Sequence, residues 1–112
     1  MPHRPRAFSI CAGLIIGALL ASSARAQDAA MMERGKQVFT TEAQPQCAIC
    51  HTLADAGASG EIGTNLDDLK PTEERVRAAV RDGVGVMPAY RDTLSEEQIA
   101  AVAHYVANAV PK

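Results

Sequence analysis

The sequence predicts an all-α domain of three to four helices packed around one large apolar body. Three observations predict it. Apolar residues recur at spacings of three and four in three segments, and no stretch alternates in the manner of a strand. Two of those segments open on residues that cap helices. Upstream of both stands Cys47-Ala48-Ile49-Cys50-His51, the attachment signature of a c-type haem. Two cysteines three apart on one turn can form thioethers to the vinyl groups of one porphyrin, and the following histidine then presents its imidazole to the iron.

Other uses of the motif fit less well. A thioredoxin-like redox pair needs a βαβ surrounding. A zinc site needs a second ligand pair, and outside the first few residues His104 is the only other histidine. A plain disulfide leaves His51 without a role.

Residues 1–26 read as a cleaved secretory signal, leaving a domain over residues 27–112. Arg4 and Arg6 make a positive start, Ala7 to Ala21 is almost entirely apolar or small, and Ala24-Arg25-Ala26 fits a small-x-small cleavage site. The apolar run is short for a membrane span of about 20 residues. Cys11 lies within it and leaves with it. Export by a Sec-type signal to the periplasm agrees with the motif, since an oxidising compartment would otherwise pair Cys47 with Cys50. No stable membrane insertion is expected after cleavage.

Removing residues 1–26 takes away three arginines and no acid, so basic residues fall from 11 to 8 against 13 acidic ones, a net charge of −5. Phosphate recognition needs a basic surface, so nucleic acid is not an expected partner. A domain of this size buries only about 60–65% of its unfolded surface. A covalently held macrocycle supplies the missing core, which suits a chain with two tyrosines, two phenylalanines and no tryptophan.

The first helix is expected over Asp28 to Thr41, with Met31, Met32, Gly35, Val38 and Phe39 on its apolar stripe. Gly35 costs about 1 kcal/mol against alanine in mid-helix, which points to a close approach by another backbone or ring. From Thr52 to Lys70 no period is sustained, as expected of a loop wrapping a prosthetic group, and Asp67 and Asp68 read as a solvated turn. Thr72 then caps a helix with Glu73 and Glu74 in its first turn, a Glu73–Arg77 pair and Gly83 as its stop. Ser95 and Gln98 form a capping box for the last helix, whose face carries Ile99, Val102, Val106 and Ala109 beside Tyr105.

Between these helices, Met87 is the leading candidate for the second iron ligand. It lies in a loop bounded by glycines, Pro88 stiffens the chain beside it, and 36 residues separate it from His51. Met31 and Met32 are explained by packing on the first stripe. His104 could serve only if its helix lay across the distal face, and a site open on that side is the third arrangement.

From Gly35 and Phe39 through C-A-I-C-H, G-T-N-L and M-P-A-Y to Tyr105, the chain resembles a single-haem class I cytochrome c over essentially the whole of residues 27–112. The resemblance implies the class I cytochrome c fold, with the first and last helices crossing at Gly35 and Phe39 and Tyr105 packed nearby. It implies one haem c held by Cys47 and Cys50, with His51 as proximal and Met87 as distal ligand. Family members often carry proline where Thr64 stands, and that residue's carbonyl accepts a hydrogen bond from the proximal imidazole. Thr64 keeps the carbonyl in a less rigid loop. The chain also resembles small cytochromes that accept electrons from periplasmic molybdenum sulfite dehydrogenases.

The function expected is one-electron transfer between a periplasmic dehydrogenase and a downstream oxidase or reductase, by a monomer that is not an enzyme. No Ser/His/Asp set or paired carboxylates suit hydrolysis or group transfer. The alternatives are a dedicated haem subunit of an oxidoreductase complex, and a haem enzyme or gas sensor with a labile distal ligand. Ala48, Ile49, Val84, Val86, Pro88 and Ala89 are expected to frame the docking face.

Overall fold

The computed structural model describes residues 1–3 and 12–112. Arg4, Arg6 and Cys11, which carry the charged start of the expected signal and its cysteine, lie outside the described residues. Five helices follow in order, α1 (Ala12–Gln37), α2 (Cys47–Cys50), α3 (Leu66–Leu69), α4 (Glu73–Asp82) and α5 (Glu96–Ala109). The chain is an all-α domain with one small hairpin, β1 (Thr52–Leu53) against β2 (Ala58–Ser59).

α1 and α5 form the frame, and they cross at Gly35. A Cβ on Gly35 would lie 2.1 Å from the Ala101 carbonyl oxygen and 2.4 Å from Tyr105 Cβ. Only glycine allows this approach, which is the reason the helix carries one despite its cost. One turn further on, Phe39 meets Tyr105 edge-on, with ring centroids 6.1 Å apart at 65°. Val38, Phe39, Leu53, Ile99, Val102 and Tyr105 are the largest fully buried side chains. Tyr105 also reaches out of the core, its Oη donating to Asp55 Oδ2 at 2.6 Å.

Three local expectations are corrected. α1 begins well before Asp28, because residues 18–34 contain neither glycine nor proline to stop it, yet residues 19–30 are exposed throughout. Met31 accordingly remains exposed, and the packed stripe starts at Met32. The regular helix stops at Gln37 rather than Thr41. Thr40 and Thr41 turn their hydroxyls back to the carbonyls of Lys36 and Gln37, both at 2.8 Å, and the Ala43 N–H reaches Val38 O at 3.0 Å, making a π-helical turn over Val38–Glu42.

The segment 52–70 is structured. Thr52 Oγ1 donates to Gly60 O at 2.9 Å across the hairpin, a short 3-10 turn spans Ala54–Ala56, and Asn65 caps α3 by accepting from the N–H groups of Asp67 and Asp68. Asp67 is therefore not a solvated turn residue. It is half-buried, and its Oδ2 accepts from the Ala54 N–H at 2.8 Å. The helix boundaries set by caps are as expected. Thr72 Oγ1 accepts from Arg75 N at 3.2 Å, Gly83 ends α4 at φ 74°, and Ser95 and Gln98 complete their reciprocal box at 3.1 and 2.8 Å.

Among the described residues no helix is long and apolar enough to cross a membrane.

Candidate functional site

α2 is a single turn, closed by the His51 N–H on Cys47 O at 2.9 Å. Both cysteines are free and half-buried on it. Burial pushes the Cys47 thiol up to about 11. Reactive redox and metal-binding thiols show the opposite shift. Among the described residues no group of three or more His, Cys, Asp or Glu side chains could hold a metal ion.

His51 is held in one orientation. Its Nδ1 lies 2.7 Å from the Thr64 carbonyl oxygen. A carbonyl only accepts, so Nδ1 carries the proton and Nε2 of the neutral ring keeps its lone pair. Gly63 lies flat against the ring, and a Cβ there would come 2.7 Å from His51 Cε1. The Gly63 N–H also donates to Cys50 O at 2.6 Å. The proline often found at position 64 is thus unnecessary for the bond, because the backbone of Gly63 and Thr64 is fixed by its own contacts.

Met87 comes from a tight two-residue turn. Val84 and Met87 exchange backbone hydrogen bonds of 3.2 and 2.9 Å around Gly85 at φ 57°. Tyr90 anchors this loop to the approach to α2, its Oη donating to Pro45 O at 2.7 Å and its N–H to Val80 O at 2.8 Å.

Cys47, Cys50, His51 and Met87 all line one cavity of about 690 Å³, within the usual range for a bound small molecule. Phe39, Val102 and Val106 from the α1–α5 frame and Val76 and Val80 from α4 give it apolar walls. Two thiols, an oriented imidazole, a thioether and a dry lining suit haem c. His104 stands elsewhere, with Nε2 2.7 Å from Asp28 Oδ1 and Nδ1 3.1 Å from Glu73 Oε2. The sequence reading did not find Ile62 or Arg75 in the lining. For Arg75 the signal was its register, one residue before Val76 and four before Ala79 on the face of α4 that meets the cavity.

The family model described as cytochrome C oxidase, cbb3-type, subunit III matches residues 30–106. The chain belongs to the class I monohaem c-type cytochromes. This cytochrome is 32% identical to cytochrome c6 of Cladophora glomerata, over 70% of the chain and 89% of the relative. It is 36% identical to cytochrome c6 of Leptolyngbya boryana, over 70% and 92%. A crystal structure of the c-type cytochrome SorU from Sinorhizobium meliloti superposes with a TM-score of 0.70 at 51% identity, over 71% of this chain and 91% of that one. The cofactor of the cytochrome is covalently bound haem c, with Cys47 and Cys50 in its attachment region.

The expected docking residues divide. Ile49, Val84 and Val86 are strongly exposed, Val86 to 91%, and Ile62 joins them. Ala48 instead packs against the core.

Proposed function

We propose that the chain from Gln27 onward is an exported periplasmic carrier of single electrons, in which His51 and Met87 would hold the haem iron and Cys47 and Cys50 would hold the porphyrin through thioethers. It would pass electrons from a periplasmic dehydrogenase to a downstream oxidase or reductase. The observation that carries this reading is the meeting of all four side chains on one apolar cavity. Bound haem c supplies the Fe(III)/Fe(II) couple. The chain supplies the rest: Thr64 O orients the His51 ring, the Met87 turn presents a soft sulfur that raises the potential, and the valine-rich walls exclude water. Because residues 19–30 are exposed, removing residues 1–26 strips no described side chain from the core.

A second reading is supported by the apolar rim of Ile49, Ile62, Val84 and Val86. Such a surface also suits a dedicated acceptor for one dehydrogenase, a sulfite dehydrogenase being the leading case. The test is to purify the processed protein and measure its mass and its reduction by candidate periplasmic dehydrogenases. The carrier reading expects a chain starting at Gln27, plus one haem that survives acid-acetone extraction, and fast reduction without copurification. An extractable haem overturns the attachment, and stable copurification with one dehydrogenase favours the second reading.

A further inference from the structure

Two stretches of chain meet at the cavity. One runs through Pro45 and Gln46 into Cys47, Cys50 and His51, and the other is the loop from Gly83 to Tyr90 that carries Met87. Thr64 O fixes His51 from its own side. The Met87 loop is tied mainly to itself and to α4, since Val84 and Met87 bond each other and the Tyr90 N–H reaches Val80 O at 2.8 Å. Gly83 and Gly85, at φ 74° and 57°, put permissive backbone on the α4 side of Met87. A fixed point on the other side therefore decides whether the loop stays closed. Among the described residues, one hydrogen bond leads from residues 83–90 to the attachment stretch, that from Tyr90 Oη to Pro45 O at 2.7 Å.

Tyr90 is itself firmly held. It lines the cavity at 4% exposure, and its carbonyl accepts from the Thr93 and Leu94 N–H groups at 3.0 and 2.8 Å. A phenylalanine would fill the same space, so packing does not account for the hydroxyl. A buried phenol needs an acceptor, and this acceptor lies two residues before Cys47. Groups that orient a metal's ligands also set how firmly those ligands bind. We propose that Tyr90 is a positioning residue for the distal ligand, its hydroxyl holding the Met87 loop closed against Pro45 and so limiting how readily another molecule takes the place of the sulfur. This rests on Met87 being that ligand.

The test compares the wild-type holoprotein with Tyr90→Phe and with Tyr105→Phe. Tyr105→Phe deletes a similar bond, that to Asp55 at 2.6 Å, in the helix frame away from the cavity lining. Imidazole is titrated into each ferric protein, the near-infrared sulfur-to-iron band is followed with temperature, and the denaturant midpoint is recorded. Tyr90→Phe should bind imidazole about three- to tenfold more tightly, the range expected for losing one hydrogen bond, and its band should fade at a lower temperature, ahead of global unfolding. Tyr105→Phe should lower the denaturant midpoint and leave the imidazole affinity as in the wild type. An unchanged imidazole affinity in Tyr90→Phe overturns the proposal, even if the midpoint falls, because the bond then serves the fold alone. An equal rise in both variants also overturns it, since general loosening then explains the effect. Met87→Ala, measured first, separates the two levels. A band that survives in Met87→Ala removes the ligand reading and this inference with it, whereas a band lost there but unaltered in Tyr90→Phe removes this inference only.

Discussion

Gly63 and His51 are in contact so close that no other residue fits between them. A Cβ on Gly63 would stand 2.7 to 3.0 Å from three atoms of the imidazole. Gly63→Ala should therefore push the ring out of its bond to Thr64 O, destabilising the holoprotein by about 1–3 kcal/mol and changing the visible spectrum of the iron. Denaturant unfolding followed in the Soret band checks both. An unchanged spectrum and midpoint would mean that the loop yields freely.

The helix crossing makes a parallel prediction without touching the iron. Gly35→Ala places a methyl group 2.1 Å from Ala101 O and 2.4 Å from Tyr105 Cβ, both on a rigid helix. The expected loss is again about 1–3 kcal/mol or more. Thermal unfolding measures it, and the reduction potential should hardly move.

His104 joins α5 to α1 through Asp28 and to α4 through Glu73. Burial, the largest single influence, pulls its pKa down, but the two carboxylates together outweigh it and hold the value above the ordinary 6.5. A pKa raised by folding means that the native state binds the proton more tightly. The stability His104 contributes is then fully present below about pH 6.5 and is lost as pH rises through the higher folded value. The stability difference between wild type and His104→Gln should shrink across that window. A difference independent of pH from 5 to 9 would show that the ring acts as a neutral spacer.

How far the sequence reached follows from the range of each interaction. The Ser95–Gln98 box and the Thr72 and Gly83 ends of α4 were legible because their contacts lie within four residues. That Cys47, Cys50, His51 and Met87 belong together could be argued from the sequence because the chemistry proposed for them demands those residue types and that spacing, and the four do line one cavity. The π-helical turn was not, since it depends on two threonine hydroxyls choosing carbonyls over water. The β1–β2 hairpin is too short to show alternation. Asp67 reads as a surface acid until Ala54, 13 residues away, supplies its N–H. The Asp28–His104 contact spans 76 residues, beyond any local rule.

The apolar rim makes a kinetic prediction. Ile49 and Val86 are 56% and 91% exposed, consistent with a brief redox contact of less than about 1,200 Å² in total. Ile49→Glu and Val86→Glu should each slow stopped-flow reduction by the dehydrogenase proposed as donor while leaving the potential unchanged. With a net charge of −5 beyond residue 26, added salt should slow the reaction if that partner is basic. Unchanged bimolecular rates in both variants would move the docking face elsewhere.

The most direct test of the central claim is the near-infrared spectrum of the ferric protein, recorded for wild type and Met87→Ala. The account predicts a weak sulfur-to-iron charge-transfer band in the wild type. Met87→Ala should abolish it, bind carbon monoxide readily when reduced, and fall in potential as the soft ligand is lost. A band and potential that survive the substitution would contradict the account, leaving Met87 as packing and the distal ligand elsewhere.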